Sequence, residues 1–297
     1  MSNQQLKLPS GKEEIMLVKF WGVRGSIPVP GPTTIKYGGN TSCVEVRCGK
    51  DIIIFDGGTG LRPLGIDLLK RGFGPDSKRS IGGGKTSMFF SHMHWDHIQG
   101  FPFFAPAFIK SNKIDIYGFK HLNVDLYQSL VGQQAFPNYP VSIFDMGGNI
   151  KFIELHGGDV IRINSTMVST VRLNHPGGSF GYKISYMKKN FVYACDYEHF
   201  DGIDKRLLNF IKGADAIIYD AQYTPEEYYG TDDSNGRQGW GHSTWEKGVE
   251  LAKSAGIKKL ILFHHGHNDT EMDKIEKITK SKFKNAVAAY EGLEIKI

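Results

Sequence analysis

Ser87-Met-Phe-Phe-Ser-His-Met-His-Trp-Asp-His97 runs from a short apolar segment, Ser87–Phe90, directly into three imidazoles and a carboxylate. Four such side chains are costly in a core unless something binds them, because buried polar groups need partners. Neutral imidazole and carboxylate are ligands that first-row transition metals accept. His92 and His94 stand two apart in an extended segment and project to the same side, so they can pinch one ion. Asp96 and His97 turn onto the following helix and can serve a second. A lone His-x-His is a weak signal. The HxHxDH pattern at a strand end is a strong one, since the bland alternative has to explain four metal-type side chains at once.

Four residues do not complete two metal shells, and further ligand types stand at other strand ends. His175 follows Val168–Leu173, Asp196 follows Phe191–Ala194, Asp220 follows Ala216–Tyr219, and His264 follows Lys259–Phe263. Side chains at the carboxyl ends of several strands converge on one mouth. Taken singly, His175 reads as a loop residue before Pro176, and Asp196 or Asp220 as a helix cap. Their common position is what points to a site.

The remaining strand-like segments are Met16–Trp21, Cys43–Arg47, Ile52–Phe55, Lys113–Tyr117 and Tyr182–Tyr186, rich in β-branched and aromatic residues. Helical patterns fall between strands at Leu61–Arg71, Leu122–Val131, Lys205–Lys212, Thr244–Ala255 and Glu271–Lys282. One internal echo is visible. Val44–Asp56 reads as strand, tight turn and strand ending in Asp, and Tyr182–Asp196 has the same design. Chance is the alternative, as hairpins ending in Asp are common. The echo predicts two β-rich halves packed face to face with helices on both outer faces, a four-layered αβ/βα sandwich in the α/β class. Residues 1–14 read as a polar tail and 15–297 as a single domain, with an aromatic-rich insertion around 101–148 that carries Phe101, Phe103, Phe104, Phe108, Phe136 and Tyr139.

Composition agrees with a soluble globular chain that can bury a core. Of 297 residues, 40% are hydrophobic and 23% charged, which excludes disorder and collagen. Lys+Arg 36 less Asp+Glu 31 leaves +5, suited to a small anionic substrate and short of a dedicated nucleic-acid surface. Cys43, Cys48 and Cys195 form no CxxC pair, and the odd count predicts free thiols in a reducing compartment. Apolar runs such as Ile52–Phe55 fall far short of the ~20 residues that cross a bilayer. The expected location is cytoplasmic, with no membrane partner.

These residues resemble the metallo-β-lactamase superfamily, and more narrowly its phosphodiesterase branch, from Phe20 to about Asp269. His92–His97 is similar to the family's HxHxDH signature, and Phe55-Asp-Gly-Gly-Thr-Gly60 to its first Asp motif. Asn174–Tyr182 resembles the histidine-then-GY element of tRNase Z, and Tyr193–Asp196 the bridging-aspartate motif. Gly241-His-Ser-Thr244 with Leu260–His264 resembles the tRNase Z stretch carrying a catalytic His and the last ligand. The opening Gly22–Gly31 with Tyr37–Ser42 is similar to bacterial and phage enzymes acting on cyclic nucleotides. The resemblance implies one metal held by His92, His94 and His175 and a second by Asp96, His97 and His264, with Asp196 bridging. It implies zinc as the default ion, with manganese or iron also suited, and a homodimer. It implies that Asp96 steers an attacking water and that His242, oriented by Asp220, protonates the leaving oxygen. Asp56, His265 and His267 are implied neighbours of the site.

Three departures from tRNase Z bear on substrate. No long Gly/Pro-rich arm for clamping tRNA is visible, His265-Gly-His-Asn-Asp269 replaces the SxRY ending, and Asp220 stands where a Glu steadies the catalytic His. The expectation is therefore hydrolysis of small anionic phosphodiesters, 3′,5′-cyclic nucleotides above all, without a stable nucleic-acid partner. The alternatives are tRNase Z-like RNA 3′-processing, a lactone or thioester hydrolase on the same fold, and a non-catalytic binding protein, which the full ligand set disfavours. Gly58–Pro63 fails as a dinucleotide loop because Pro63 replaces the third Gly, and Gly82–Thr86 fails as a phosphate loop because Arg79 replaces the first. Cys195 beside Asp196 is a poor nucleophile. His121 and His156 read as surface residues, and His199 as either a neighbour of the site or a helix cap.

Overall fold

The computed structural model describes residues 15–75, 83–119 and 125–297. The polar segment 1–14, Arg79, Gly82, His121 and the first residues of the helix expected from Leu122 lie outside the described residues.

Alternation decides the first strand. In β1 (Met16–Gly22) every second residue from Met16 is buried, the period that a pleated strand imposes. The first sheet continues with β2 (Cys43–Cys48), β3 (Asp51–Phe55), β4 (Lys85–Phe89), β5 (Lys113–Phe119) and β6 (Asn149–Leu155). The second contains β7 (Val160–Ile163), β8 (Thr166–Leu173), β9 (Ser179–Tyr186), β10 (Lys189–Ala194) and β11 (Ala216–Asp220). After a small hairpin of β12 (Gly230–Thr231) and β13 (Ser234–Asn235), β14 (Lys259–Phe263) and β15 (Ala286–Ala288) complete the second sheet. Finally, β16 (Glu294–Lys296) returns to the first, beside β1.

The two sheets share one plan. The first has the order β16-β1-β2-β3-β4-β5-β6 and the second β7-β8-β9-β10-β11-β14-β15. Pairing is antiparallel from β16 to β3 and parallel from β3 to β6. It is likewise antiparallel from β7 to β10 and parallel from β10 to β15. The two echoing hairpins, β2–β3 and β9–β10, therefore occupy the same place in their sheets. Asp56 and Asp196, just beyond them, both sit in left-handed backbone, at φ 58° and 50°.

Apolar faces meet between the sheets, where Phe20, Phe55, Phe89, Phe180, Tyr182, Tyr193 and Phe263 are fully buried. Phe55 stacks on Tyr193 with ring centroids 5.2 Å apart. The outer face of the first sheet is covered by α1 (Leu61–Leu68), by turns at Phe101–Phe103 and Ala105–Phe108, and by α3 (Leu126–Gln133), which follows the short α2 (Trp95–Ile98). The second sheet's outer face carries α4 (Lys205–Ile211) and, beyond the short α5 (Pro225–Tyr229), α6 (Trp245–Ala255) and α7 (Asp269–Lys282). Helix, sheet, sheet and helix make the expected four layers.

Local chemistry sets the helix ends. Thr244 caps α6 by accepting from the Lys247 amide, and Gly256 stops it at φ 66°, as a C′ glycine does. Asn268 and Glu271 form a capping box that starts α7 two residues earlier than its apolar pattern suggests. Residues 101–148 contribute β5 to the first sheet, with Phe101 and Phe104 buried and Phe103, Phe108 and Phe136 exposed. No described helix is long and apolar enough to cross a membrane.

Candidate metal centre

Parallel strands put their carboxyl ends on one edge of the sandwich, and that edge collects the ligand-type residues. The first sheet supplies Asp56 after β3, His92 and His94 from the turn after β4, and Asp96 and His97 from the α2 that follows. The second supplies His175 two residues after β8, Asp196 after β10, Asp220 at the end of β11 and His264 after β14. Beneath them the Tyr182 hydroxyl donates to the Phe90 carbonyl at 2.6 Å and ties one sheet to the other.

Asp196 is at the centre. Its Oδ2 lies 3.6 Å from both His92 Nε2 and His175 Nε2, and His94 Nδ1 is 3.1 Å from that His175 nitrogen. Its Oδ1 lies 3.1 Å from His97 Nε2 and 3.2 Å from His264 Nε2. Asp96 Oδ2 faces the same two nitrogens at 3.2 and 3.0 Å. Three groups of close ligand-type atoms result among the described residues: His92, His94, His175 and Asp196; His97, His264 and Asp196 with the Cys195 thiol also near; and Asp220, His242 and His264. All seven residues expected as ligands converge.

The far nitrogens show what the near ones are for. His97 Nδ1–H donates to Asp56 Oδ2 at 2.7 Å, His264 Nδ1–H to Gln222 Oε1 at 2.7 Å, and His175 Nδ1–H to the Gly241 carbonyl at 2.8 Å. The Ser91 hydroxyl spends its proton on Asp56 at 2.8 Å, so toward His92 Nδ1, 3.0 Å away, it can only accept. Each of these rings therefore carries a proton on Nδ1 and turns Nε2 inward, bare once an ion displaces the second proton that the surrounding carboxylates hold on His97. His92 Nε2 is buried with no hydrogen-bond partner. Bare lone pairs converging on a carboxylate, with the opposite nitrogens held by oxygen acceptors, is the arrangement of imidazoles around a metal. The donor set fits a divalent ion.

Charge points the same way. Burial disfavours a proton on His97, yet Asp196, Asp96 and Asp56 outweigh burial and hold its pKa well above the ordinary value. Burial would raise the Asp196 carboxyl, but His264, His97 and His92 bring it well below its usual range. Burial, with His97 next, pushes His92 far down. The protein's own field calls for a cation between the carboxylates. Asp56 also accepts from the Ser91 amide at 2.7 Å and the Tyr193 hydroxyl at 2.6 Å. Asp56→Asn is expected to weaken metal affinity about 10- to 100-fold, as loss of a ligand's hydrogen-bond partner does, read by competition with a chromophoric chelator; unchanged affinity refutes that role.

His242 stands apart from the bare-nitrogen rings. Its Nδ1 is 2.8 Å from Asp220 Oδ2, and that carboxylate is fixed by the Tyr197 and Gln222 amides, each at 3.1 Å. The ring stacks on His264 with centroids 4.9 Å apart and lines the 420 Å³ cleft above Asp96, Asp196 and His264. Ser26 also lines that cleft, its amide donating to Asp96 Oδ2 at 2.8 Å.

Two expected neighbours turn away. His264 takes φ 67°, which sends His265 into the packing, where its Nε2–H donates to the Ala289 carbonyl at 2.8 Å and burial lowers it to about 3. His267 pairs with Glu227 at 2.8 Å instead of any ligand. His199 bonds the Ser243 hydroxyl at 2.8 Å and packs on Tyr228. Cys195 is buried, and burial and then Asp196 raise its thiol well above the ordinary value, against a nucleophilic role. Ser91, Gln222, Tyr193 and Glu198 were not read from the sequence. Ser91 and Tyr193 lie inside the quoted motifs and Gln222 and Glu198 two residues after a site aspartate, but only the fold shows which partner each side chain meets.

Residues 77–265 match the family model described as a beta-lactamase superfamily domain. Among curated proteins the chain is similar to the ribonuclease Z of Picrophilus torridus, 22% identical over 322 residues and covering 94% of this chain and 95% of that protein. Among solved structures it is similar to the metallo-beta-lactamase fold protein YhfI of Bacillus subtilis, with TM-score 0.67, 20% identity and coverage of 96% and 100%. It is also similar to the short form of human tRNase Z, with TM-score 0.63, 18% identity and coverage of 94% and 98%.

Proposed function

We infer that this chain, which belongs to the beta-lactamase superfamily and within it to the phosphodiesterase branch, is a metal-dependent hydrolase of phosphodiesters. The observation that carries the reading is the His242–Asp220 pair beside a complete ligand cradle. His92, His94, His175 and Asp196 would hold one ion, and Asp96, His97, His264 and Asp196 a second. Two divalent ions, zinc by the donor set and manganese or iron as alternatives, supply neutralisation of phosphoryl oxygens and a water of lowered pKa.

The chain's own groups do the rest. Asp96, oriented by the Ser26 amide, is placed to accept a proton from the attacking water and to aim it. Asp220 accepts from His242 Nδ1–H and leaves Nε2 to face the cleft. Burial opposes a charge on His242, but Asp220 outweighs burial and raises it to about 9. Asp220 thus keeps a proton on the ring for a departing ribose oxygen. A thioester hydrolase, whose thiolate leaves unaided, has no need of such an acid.

For the substrate, the curated name ribonuclease Z favours RNA processing over the cyclic nucleotides expected from the sequence, and it lends no support to the expected lack of a nucleic-acid partner. We place RNA cleavage first. Cyclic 3′,5′-nucleotides are the second reading, favoured by a cleft of 420 Å³, the scale of a site for one small molecule. The test is a panel of precursor tRNA with a 3′ trailer, cyclic mononucleotides, a ribodinucleotide and a lactone, offered to metal-loaded protein. The expected result is a higher kcat/KM on the precursor than on any cyclic nucleotide. The reverse order establishes the second reading, and turnover of the lactone alone overturns both.

A further inference from the structure

Glu198 follows the central aspartate by two residues and is buried, yet its carboxylate makes no contact with the ligand cluster. It reaches across to the segment that presents His242. Its Oε1 accepts from the Gly239 amide at 2.6 Å and the Tyr228 hydroxyl at 3.0 Å, and its Oε2 accepts from the Gly241 amide at 2.8 Å. Gly239 and Gly241 are both in left-handed backbone, at φ 84° and 92°. These two residues, either side of Trp240, belong to no helix or strand, and the buried Gly241 amide in particular needs a partner from elsewhere. The carboxylate is that partner for both.

The same residue grips the other side of the site. The Glu198 amide donates to the Asn174 carbonyl at 2.7 Å, and the Asn174 side chain donates back to the Glu198 carbonyl at 3.0 Å. Asn174 precedes His175, whose Nδ1–H is held by the Gly241 carbonyl. There is little slack at this junction: a Cβ on Gly241 would lie 2.5 Å from His175 Nδ1.

We propose that Glu198 is the positioning residue of the acid, holding Gly239–His242 in register so that His242 meets the leaving oxygen. The assignment rests on the phosphodiesterase reading above. Glu198 touches no reacting atom. It acts through the backbone on either side of Trp240, and a shift of about 1 Å in a positioned group can cost about a hundredfold in rate. In Glu198→Gln an amide NH2 takes the place of one acceptor and faces a backbone N–H, so one of the two glycine bonds is lost and becomes a donor–donor clash.

The experiment uses the full metal-loaded chain and two kinds of diester. One is the ribonucleotide from the panel that the wild type turns over fastest, whose leaving oxygen needs a proton. The other is thymidine 5′-(4-nitrophenyl) phosphate, whose phenolate leaves unaided. Glu198→Gln is expected to lower kcat about 10- to 100-fold on the ribonucleotide and less than about threefold on the nitrophenyl ester, with metal content unchanged. In a His242→Ala background, adding Glu198→Gln should cause no further loss on the ribonucleotide, since an absent acid cannot be misplaced. Equal losses on both esters, a loss that follows missing metal, or multiplying losses in the double variant overturn the assignment. A wild type that cleaves neither ester overturns the phosphodiesterase reading, and the assignment with it. Should Glu198→Gln not be recovered folded, Tyr228→Phe removes only the phenol donor and must show the same ester dependence at smaller size. Its absence there is equally decisive.

Discussion

Asp196→Ala is expected to yield a folded protein that retains neither ion and loses about four powers of ten or more in kcat. The size follows from what the side chain touches. One oxygen lies between His92 and His175 and the other between His97 and His264, so a single truncation opens both shells. Each lost ion removes several kcal/mol of transition-state charge stabilisation, and two together amount to about 10⁴-fold or more. Elemental analysis and turnover measured on one preparation check this, with circular dichroism to confirm the fold. A variant that keeps two ions per chain and near-native turnover refutes the bridging role.

His242→Ala is expected to separate chemistry from metal binding. The imidazole is anchored on Asp220, and its Nδ1 bond is to a carboxylate of no ligand pair. Its removal should leave metal content intact and lower kcat on a ribonucleotide by about two to four powers of ten, the worth of general acid catalysis. On a bis-nitrophenyl phosphate, whose leaving group departs as a stable phenolate, the loss should nearly vanish. Because the ring also stacks on His264, metal content has to be measured alongside. Equal losses on the two substrates, or losses in step with missing metal, show that His242 is not the acid.

The parts of this site legible in the sequence are those where chemistry and strand position coincide. His92–His97 after Ser87–Phe90 announces itself because polarity breaks abruptly at a strand end. The echo between Val44–Asp56 and Tyr182–Asp196 foretold two sheets, and it holds down to the matching left-handed aspartates. The edges of the sheets were not legible. β7, β15 and β16 are three or four residues long, and β6 is mostly half-buried, so no strong alternation or apolar run marks them. The histidine doublet needed a backbone angle: only the left-handed turn at His264 shows why His265 ends on Ala289 and not in the cleft. Glu198 and Gln222 are ordinary polar residues until the fold brings them to a glycine pair and an imidazole.

The residues proposed as ligands are divided between the sheets, with His92, His94, Asp96 and His97 from one and His175, Asp196 and His264 from the other. Chelation and docking of the halves are therefore thermodynamically linked. Ions bound only when the two sheets face each other stabilise the sandwich by mass action, by about 2.7 kcal/mol per site when free ion stands a hundredfold above its dissociation constant. The ion-free protein must also hold Asp56, Asp96 and Asp196 close together with only imidazole protons between them. If these residues hold the ions as proposed, metal supply would set how much folded protein persists as well as how fast it works, and chelation would be a route to its clearance.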